Sequence, residues 1–535
     1  MNQKDNTDRL FKLFILLIFA VAAMLRFQNI FSALEYDEIW TLENFSRLKI
    51  SALLTELALP NNQPLNSLFV KLAVTLGGPV WAIRLHSFIA GMLILPLTGF
   101  IAYVLSEKNK LSCVCTMFIM AFSAPDAVYS SLARGYALQI FFLALYAAGL
   151  AASNSFRPQG KLKFLPETAM ALGGVCAVIT LPTSIVYLGA ITLAAWLICP
   201  VKPRRSLLIV LGLGIAFTLF WCIFNYQQLN AARVWGSKIS SFSDFYAFLA
   251  VTAAPLAAPA ALLLSCIAFK QIPRKTLPLL LIVALPLLSA AATNAGPPRT
   301  YIPFGAVFAV AGGAGLGELL KKVKKNYAVI ICILWGILCI GEYSFRQKTW
   351  RTPDCRELFK QVSRLPYSTL VVHRATSGYP LAWNNQPEVY NDFVKRLLEH
   401  SDELVMFDGP GRINGNDPQN NEAVISTDIR GKEVKNGILH YRKYLLEELS
   451  APPKEGDTII ISLRPMAGEL LQFYLDQLTV SGFYYLKLNP WLTRFLQAET
   501  TSYYALLAGT VTKKTALNWK MFLESSGNIS IYRIR

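Results

Sequence analysis

The feature that most constrains this chain is a series of eleven apolar runs within its first 340 or so residues. A helix needs about 20 apolar residues to cross about 30 Å of hydrocarbon, and each run comes close to that length. Charged residues form only 16% of the 535-residue chain, whereas a soluble domain carries about 25%. The runs therefore predict a polytopic, all-α membrane bundle. The predicted spans are residues 10–30, 80–104, 111–128, 135–153, 165–181, 184–200, 206–224, 246–269, 277–293, 300–318 and 327–342.

The loops between these runs differ in charge from one side of the membrane to the other. If the N-terminus is cytoplasmic, the five inner loops carry 15 Lys and Arg residues and the four short outer loops carry 4. Positive charge accumulates in cytoplasmic loops, so this asymmetry predicts a cytoplasmic N-terminus and an extracytoplasmic C-terminus. The net charge of +18 has the same origin, and it does not indicate a nucleic-acid partner.

The composition changes near residue 343. Charged, helix-like stretches such as "PDCRELFKQVSRL" and "PEVYNDFVKRLLEH" then alternate with short β-rich runs, "STLVVH", "DTIIISL" and "NISIYRIR". Alternation of this kind is typical of an α/β domain. We therefore predict a transmembrane domain, 1–342, followed by a soluble periplasmic or extracellular α/β domain, 343–535. Within the first domain, the polar segment 32–79 is predicted to form short helices on the membrane at the outer side.

Carboxylates are concentrated directly after the first span, where the stretch "EYDEIWTLE" holds four of them in nine residues. The predicted topology puts other polar side chains on the same, outer side. Charges at the edge of a membrane are costly, so they need a partner, water or a function. The outer-side candidates are Asp37, Glu38, Asn62, Gln63, Arg84, His86, Asp126, Arg134, Arg299 and Tyr301.

Acids and arginines together suit one type of reaction at a membrane surface. Arginine binds phosphate through a rigid, always charged fork of donors, and a carboxylate can accept the proton of a hydroxyl nucleophile. Together they predict the transfer of a group from a membrane-anchored phosphate to an acceptor hydroxyl. The donor must be carried by a lipid, because nucleotide sugars and ATP are absent from the outer side of a bacterial inner (plasma) membrane.

Four motifs resemble the GT-C superfamily of glycosyltransferases, which includes the protein O-mannosyltransferases and the lipid A aminoarabinose transferases. The first is the Asp-Glu pair after the first span. The others are "NNQPLNSLF", similar to a Pro-Leu element, "YSSLARGYAL", similar to an Arg-x-Tyr element, and "PPRTYIPF", similar to an Arg-Tyr-x-x-Pro element. The likeness covers roughly residues 10–342. Gln63 stands where many relatives carry His or Lys.

The resemblance implies an inverting transfer of a hexose or pentose from a polyprenyl-phosphate donor to an acceptor hydroxyl. The candidate site residues, taken from these motifs and from the predicted outer side, fall into three groups. The catalytic acids are Asp37, as the general base, and Glu38. The residues expected at the donor phosphate are Arg134, Arg299, Tyr301 and Arg84. The residues expected to contact substrate elsewhere are Asp126, Gln63, Asn62 and His86.

Several points stay open at this stage. The acceptor is a lipid, a polysaccharide or a protein. No residue spacing indicates a metal site, but some GT-C enzymes use a divalent cation at the acidic loop, so metal dependence is undecided. Tyr129 and Tyr136 fit an ordinary interfacial belt of aromatic residues. The main alternative function is a transporter or lipid flippase, which favours mid-span polar residues and internal repeats. The charges here gather at one face, and the sequence shows no repeat. A non-catalytic scaffold leaves the acids and arginines unexplained.

Overall fold

A computed structural model describes residues 3–32, 34–35, 37–38, 41–46, 48–57, 62–155, 164–198, 205–232, 266–267, 270, 272–292 and 298–350, together with seven strands between 369 and 534. The chain divides into two compact units. One unit consists of Met1–Phe31 and Trp40–Arg351, and the other of Ser32–Ile39 and Thr352–Arg535.

Helices make up the described part of the first unit. In chain order they are α1 (Gln3–Ile30), α2 (Ile50–Thr55), α3 (Pro64–Thr75), α4 (Leu85–Leu105), α5 (Lys110–Ala121), α6 (Ala124–Tyr129), α7 (Gly135–Ser155), α8 (Leu165–Thr180), α9 (Ser184–Ile198), α10 (Arg205–Phe224), α11 (Tyr226–Ala232), α12 (Pro273–Thr276), α13 (Leu280–Ala292), α14 (Pro303–Lys322) and α15 (Lys325–Trp350). Short 3₁₀ turns, Val80–Arg84, Leu277–Leu279 and Pro298–Tyr301, lead into α4, α13 and α14, and a π-helical turn covers Thr41–Phe45.

Most of the predicted spans are helical, and the chain is an integral membrane protein. Six described segments are long and apolar enough to cross a bilayer: Phe11–Ile30, Val80–Leu105, Gly135–Ser153, Arg274–Ala292, Arg299–Lys322 and Asn326–Ser344. Shorter apolar helices lie on four further predicted spans, at Lys110–Ala121, Leu165–Thr180, Ser184–Ile198 and Leu208–Phe224. The eighth predicted span, 246–269, falls almost wholly outside the described residues, so the count of eleven spans stays a prediction.

The third predicted span, 111–128, is not one continuous helix. Helix α5 ends at Ala121 and α6 begins at Ala124, with Ser123 in an extended conformation between them (φ −67°, ψ 106°). The break has a local cause in Pro125. Proline has no N–H to donate to the carbonyl four residues earlier, and its ring clashes with that carbonyl in a continuous helix. Residues Ala124–Tyr129 thereby form a separate short helix, α6.

Close contact between backbones holds α14 against α5. Gly313 faces Thr116, and a Cβ at position 313 would come within 2.6 Å of the Cα and N atoms of Thr116. One turn earlier in α5, the Ser112 hydroxyl lies 3.5 Å from the carbonyl oxygen of Ala314, the residue after Gly313. Small residues allow this approach between membrane helices, where packing rather than the hydrophobic effect drives association.

The second unit contains a mixed seven-stranded sheet. Its strands are β1 (Thr369–His373), β2 (Leu404–Phe407), β3 (Leu446–Leu449), β4 (Thr458–Ser462), β5 (Phe483–Leu488), β6 (Tyr504–Ala508) and β7 (Ile529–Ile534). Their order in the sheet is β2-β1-β6-β4-β5-β7-β3. The β1–β2 and β4–β5 pairs are parallel and the other pairs antiparallel.

Strands β1, β4 and β7 fall on the three β-rich runs of the sequence. The two helix-like stretches, "PDCRELFKQVSRL" and "PEVYNDFVKRLLEH", lie outside the described residues. The α/β class of this region and its extracytoplasmic location therefore remain predictions. Helix α15 runs to Trp350, beyond the predicted domain limit at residue 342.

Candidate active site

The loop between α6 and α7, predicted as an outer loop, is enclosed by protein. Every residue from Ile119 to Ile140 is buried. Its polar groups find partners close by: the hydroxyls of Ser130 and Ser131 donate to backbone carbonyls four residues earlier, at 2.5 and 2.8 Å. The backbone around Arg134 is therefore fixed by burial and by these hydrogen bonds. This limits the positions that the guanidinium group can take.

Asn66 of α3 ties this loop to α4. Its Nδ2 donates to the carbonyl of Ala133 at 3.0 Å, so its Oδ1 is left to accept from Nε2 of His86 at 2.8 Å. This arrangement requires the proton of His86 on Nε2. The ring of Phe69 stacks on the imidazole with 5.1 Å between centroids. His86, a predicted substrate contact, thus acts through Asn66 on the residue that precedes Arg134.

Gln63, another predicted substrate contact, sets the start of α7. Its Oε1 accepts a hydrogen bond from the backbone N–H of Gly135, the first residue of that helix. Position 135 needs glycine, because a Cβ there would lie 2.9 Å from both Gln63 Oε1 and the methyl carbon of Thr180. The other amide atom, Nε2 of Gln63, is buried and makes no hydrogen bond within the described residues.

Asn62 has a structural role in the same segment. Its Nδ2 donates to the carbonyls of Leu53 and Glu56 at 2.9 and 2.7 Å, and its Oδ1 accepts from the Ser67 hydroxyl at 2.9 Å. The side chain therefore closes the connection between α2 and α3. These three hydrogen bonds account for its burial.

Two of the three arginines expected at the donor phosphate, Arg134 and Arg299, meet at one tyrosine. The guanidinium carbon of Arg134 lies 5.7 Å from the ring centroid of Tyr136. Nε of Arg299, far along the chain, donates to the Tyr136 hydroxyl at 2.9 Å. Tyr129 packs edge-on against the same ring, with centroids 4.9 Å apart. Arg134 and Tyr136 are buried and Arg299 is half-buried.

Tyr136 joins the two arginines, whereas the sequence analysis assigned it to an interfacial belt. The signal was present in the Arg-x-Tyr element of "YSSLARGYAL", which places a ring two residues after Arg134. What the sequence could not supply is the contact with Arg299, because that contact joins the second outer loop to the turn before α14.

The helix ends near this Arg134–Tyr136–Arg299 cluster add to its positive field. Arg134 directly precedes α7, and Arg299 lies in the 3₁₀ turn that leads into α14. The N-terminus of a helix carries roughly half a positive charge, which favours anions and opposes cations. Two guanidinium groups beside two such ends form a region that an anion with several oxygens would stabilise.

Tyr301 lies close to Arg299 in sequence but is part of the apolar packing. It is buried, and its ring lies 5.5 Å from that of Phe304. In turn, Phe304 meets the ring of Tyr187 at 5.9 Å. This environment favours a packing role for Tyr301.

Arg84 caps a helix. Its Nη1 donates to the carbonyls of Asn29 and Ile30 at 3.2 and 2.8 Å, the last two residues of α1. Carbonyls at a helix C-terminus lack intrahelical partners and carry partial negative charge. The fully buried guanidinium is thereby stabilised, and the contact favours a structural role over donor binding.

Asp126 forms a buried ion pair that the sequence analysis did not foresee. Nη2 of Arg26, near the end of α1, lies 2.5 Å from Oδ2 of Asp126, and both side chains are buried. Arg26 also donates to the carbonyls of Met120 and Ala121 at 3.2 Å each. The sequence signal was the arginine inside the first apolar run, since an intramembrane charge needs a partner. Asp126 thus anchors α6 to α1.

Asp37 and Glu38 lie in the segment Ser32–Ile39 of the second unit. The Glu38 carboxylate is buried and accepts from the backbone N–H of Glu35 at 2.9 Å, while the Glu38 N–H donates to the Glu35 carbonyl at 3.0 Å. This reciprocal pairing resembles a capping box. Asp37 is half-buried. Glu38 therefore stabilises the turn that contains Asp37.

Metal ligands do not cluster in the described part of the chain. Among those residues, no three or more His, Cys, Asp or Glu side chains come together in an arrangement that could hold an ion.

Removing only the hydroxyl of Tyr136 should separate the two arginine contacts. Tyr136→Phe keeps the ring under Arg134 and removes the acceptor of Arg299. On the prediction that the two arginines bind the donor phosphate, we expect donor affinity to fall about 3- to 10-fold. Tyr136→Leu also removes the cation–π contact and should cost more. The matched control is Tyr146→Phe, which deletes a hydroxyl bonded to Thr192 at 2.6 Å. An equal loss of affinity in the control, measured by titration with a polyprenyl-phosphate sugar, would contradict this role.

Comparisons with known proteins find similarity to solved structures only. No family model and no curated protein matches the chain. It is similar to the crystal structure of ArnT from Cupriavidus metallidurans in the apo state, with 14% identity, a TM-score of 0.47, and coverage of 77% of this chain and 96% of that one. The same ArnT bound to undecaprenyl phosphate gives 11% identity, a TM-score of 0.43 and coverage of 78% and 96%.

It is also similar to the archaeal oligosaccharyltransferase AglB from Archaeoglobus fulgidus in complex with an inhibitory peptide and a dolichol-phosphate. The identity is 10%, the TM-score 0.42, and the coverage 75% of this chain and 70% of that one. At these identities and TM-scores the similarity assigns no residue role and no substrate to this chain.

Proposed function

We propose that the protein is a glycosyltransferase. It moves a monosaccharide from a polyprenyl-phosphate-linked donor to an acceptor hydroxyl at the outer face of the membrane, with inversion at the anomeric carbon. The observation that carries the proposal is the meeting of Arg134 and Arg299 at Tyr136, beside the N-termini of α7 and α14.

The phosphate of the donor is the group that best fits this cluster. Two guanidinium groups on one ring repel each other, and the adjacent helix ends raise the positive potential further. A phosphate supplies several acceptor oxygens and negative charge, and arginine binds it with a rigid fork of donors. Inside a protein of low effective dielectric such contacts are stronger than in water. Charge that develops on the leaving phosphate would be stabilised at the same place.

The reaction requires a base on the acceptor side. We propose that Asp37 takes the proton of the acceptor hydroxyl as its oxygen attacks the anomeric carbon. The bond from that carbon to the phosphate oxygen breaks, and polyprenyl phosphate leaves with the electron pair. Glu38 is the less suitable base because its side chain is fully buried, whereas that of Asp37 is half-buried. In the sequence, Asp37 follows the first span by only a few residues, which predicts a carboxylate on the outer side, where the lipid-borne sugar is expected.

Both the donor sugar and the acceptor are proposed as classes of compound. The donor sugar is a hexose or a pentose. The acceptor is a lipid, a polysaccharide or a protein hydroxyl. By the positive-inside rule the site faces the extracytoplasmic side of a bacterial inner membrane, and so does the region from residue 343.

Donor binding tests the phosphate assignment. Arg134→Ala and Arg299→Ala should each weaken binding of a polyprenyl-phosphate sugar about 10- to 150-fold, since a charge-assisted hydrogen bond contributes about 1.5–3 kcal/mol. The matched control is Arg274→Ala, an exposed arginine at the start of another helical segment. The Arg274→Ala variant should bind the donor with the same affinity as the wild type. Unchanged donor affinity in both Arg134→Ala and Arg299→Ala would refute the assignment.

A further inference from the structure

A cavity of about 240 Å³ lies inside the helical unit, among α4, α7, α9, α13 and α14. Its wall is formed mostly by aliphatic side chains such as Ile101, Leu143 and Ile191. Of the described residues that line it, only Lys275, in α12, carries a charge. An apolar wall with a single cation is the composition expected for a site that takes a hydrocarbon chain with an anionic head.

The length of the cavity matches one leaflet of a bilayer. Helix α7 contributes lining residues from Ile140 to Ala151, and α9 from Tyr187 to Ile198. At 1.5 Å per residue, each stretch covers about 16 Å. The hydrocarbon core is about 30 Å thick, so one leaflet is about half of that. A single acyl chain that enters from one side would fill this depth.

At the end of the cavity nearest the arginine cluster, the wall contains an aromatic ring and a proline. Tyr187 and Pro303 line it there. The Tyr187 hydroxyl donates to the carbonyl of Thr300 at 3.3 Å, and its ring packs on Phe304. Buried aromatic rings thus stand between the cavity and the turn that carries Arg299.

The opposite end carries an ion pair at a strained turn. Nζ of Lys275 lies 3.0 Å from Oε1 of Glu107, with the lysine side chain 30% and the glutamate 79% exposed. The hydrogen bond and charge of Lys275 lower the pKa of the Glu107 carboxyl. Glu107 and Lys108 have φ of 57° and 66°, a conformation that favours glycine. Such strain persists where the surroundings hold it and is frequent at ligand sites.

We infer that the cavity holds one acyl chain of an anionic glycerophospholipid, whose phosphate contacts Lys275. A lysine ammonium has three donors, and Glu107 uses one of them. The Lys275 end is the one that the positive-inside rule places at the cytoplasmic leaflet, where basic residues attract anionic headgroups. This lipid is distinct from the proposed glycosyl donor, and the inference does not depend on transferase activity.

Photolabelling tests the inference directly. The full chain is purified in detergent and mixed with phosphatidylglycerol that carries a diazirine in its acyl chain, or with phosphatidylcholine of the same chain. After irradiation and digestion, mass spectrometry locates the labelled residues. We expect labels on cavity residues such as Leu143 and Ile191, about 5- to 10-fold more from phosphatidylglycerol than from phosphatidylcholine.

Two variants are expected to change the labelling by phosphatidylglycerol in opposite directions. Lys275→Gln should reduce labelling by phosphatidylglycerol to the level of phosphatidylcholine. Glu107→Gln should raise it about twofold, because a like charge is removed from the headgroup site. The control Lys321→Gln changes a lysine that is paired with Glu318 at 3.1 Å and does not line the cavity, so it should have no effect.

A further variant, Ala194→Phe, fills the cavity and should remove the labels from its wall, provided that its thermal unfolding matches the wild type. Labels confined to bilayer-facing residues such as Leu213 and Ile333 would overturn the inference. So would competition by polyprenyl phosphate, which would assign the cavity to the donor's tail. Equal labelling in wild type and Lys275→Gln would overturn the role of the cation.

Discussion

Replacing Asp37 with Asn is expected to lower the turnover of sugar transfer about 10²- to 10⁴-fold. That is the typical contribution of a general base, and the amide keeps the shape of the side chain while losing the proton acceptor. Donor affinity should survive, because a carboxylate does not bind phosphate and its charge opposes it. Turnover is measured with saturating donor and acceptor, and affinity by titration with the donor alone.

Glu38→Gln is the matched control for this change. Its side-chain oxygen can still accept the N–H of Glu35, a bond of 2.9 Å in the wild type, so the turn should persist and turnover should fall much less. Equal turnover in the wild type and Asp37→Asn would refute the assignment of the base. It would leave the assignment of the arginines to the phosphate intact.

The second large effect is on stability. Asp126→Leu leaves the buried Arg26 charge without its carboxylate, and we expect the free energy of unfolding to fall by about 3–5 kcal/mol. Arg26→Met should cost a similar amount. The double variant Arg26→Met/Asp126→Leu should recover most of the loss, because an apolar pair of similar volume often replaces a buried ion pair without cost.

A double-mutant cycle on detergent-solubilised protein measures the coupling. The control is Glu318→Gln, which breaks a pair whose side chains are 17% and 46% exposed and which should therefore contribute less than about 1 kcal/mol. Additive losses in the Arg26 and Asp126 variants would show that the two residues are not coupled. In that case the ion pair would not be what fixes α6 to α1.

Features that depend on local sequence were predicted well. Apolar runs gave the helices Phe11–Ile30, Val80–Leu105 and Gly135–Ser153 with small errors at their ends, because the length of an apolar run is a direct requirement of the bilayer. The break at Pro125 was missed, although proline in a helical run is a local signal. The prediction gave more weight to apolar composition than to the proline, because the residues on both sides of Pro125 are apolar enough to continue a span.

Features that depend on tertiary partners were not predictable. Arg84 was expected at a phosphate, yet it binds the carbonyl end of α1, and no property of the residue itself distinguishes the two roles. Asp126 was expected to contact substrate, and its partner Arg26 lies 100 residues earlier in the chain. Arg134 and Arg299 were each expected at the donor phosphate, but only the fold shows that both contact Tyr136.

The arginine cluster alone would also suit a protein that moves a phospholipid across the bilayer without chemistry. The two functions differ in one product. A transferase breaks the bond between sugar and phosphate and releases free polyprenyl phosphate, whereas a flippase returns the donor intact. This difference is independent of the identity of the acceptor.

The most direct test of the proposed function is therefore the release of free polyprenyl phosphate. Detergent-purified protein is incubated with a polyprenyl-phosphate sugar and candidate lipid, polysaccharide and protein acceptors. The proposal predicts that the wild type releases polyprenyl phosphate in step with glycosylation of one acceptor class, and that Asp37→Asn and Arg134→Ala slow this release. A wild-type protein that moves the intact donor across vesicle bilayers and releases no polyprenyl phosphate with any acceptor class would contradict it.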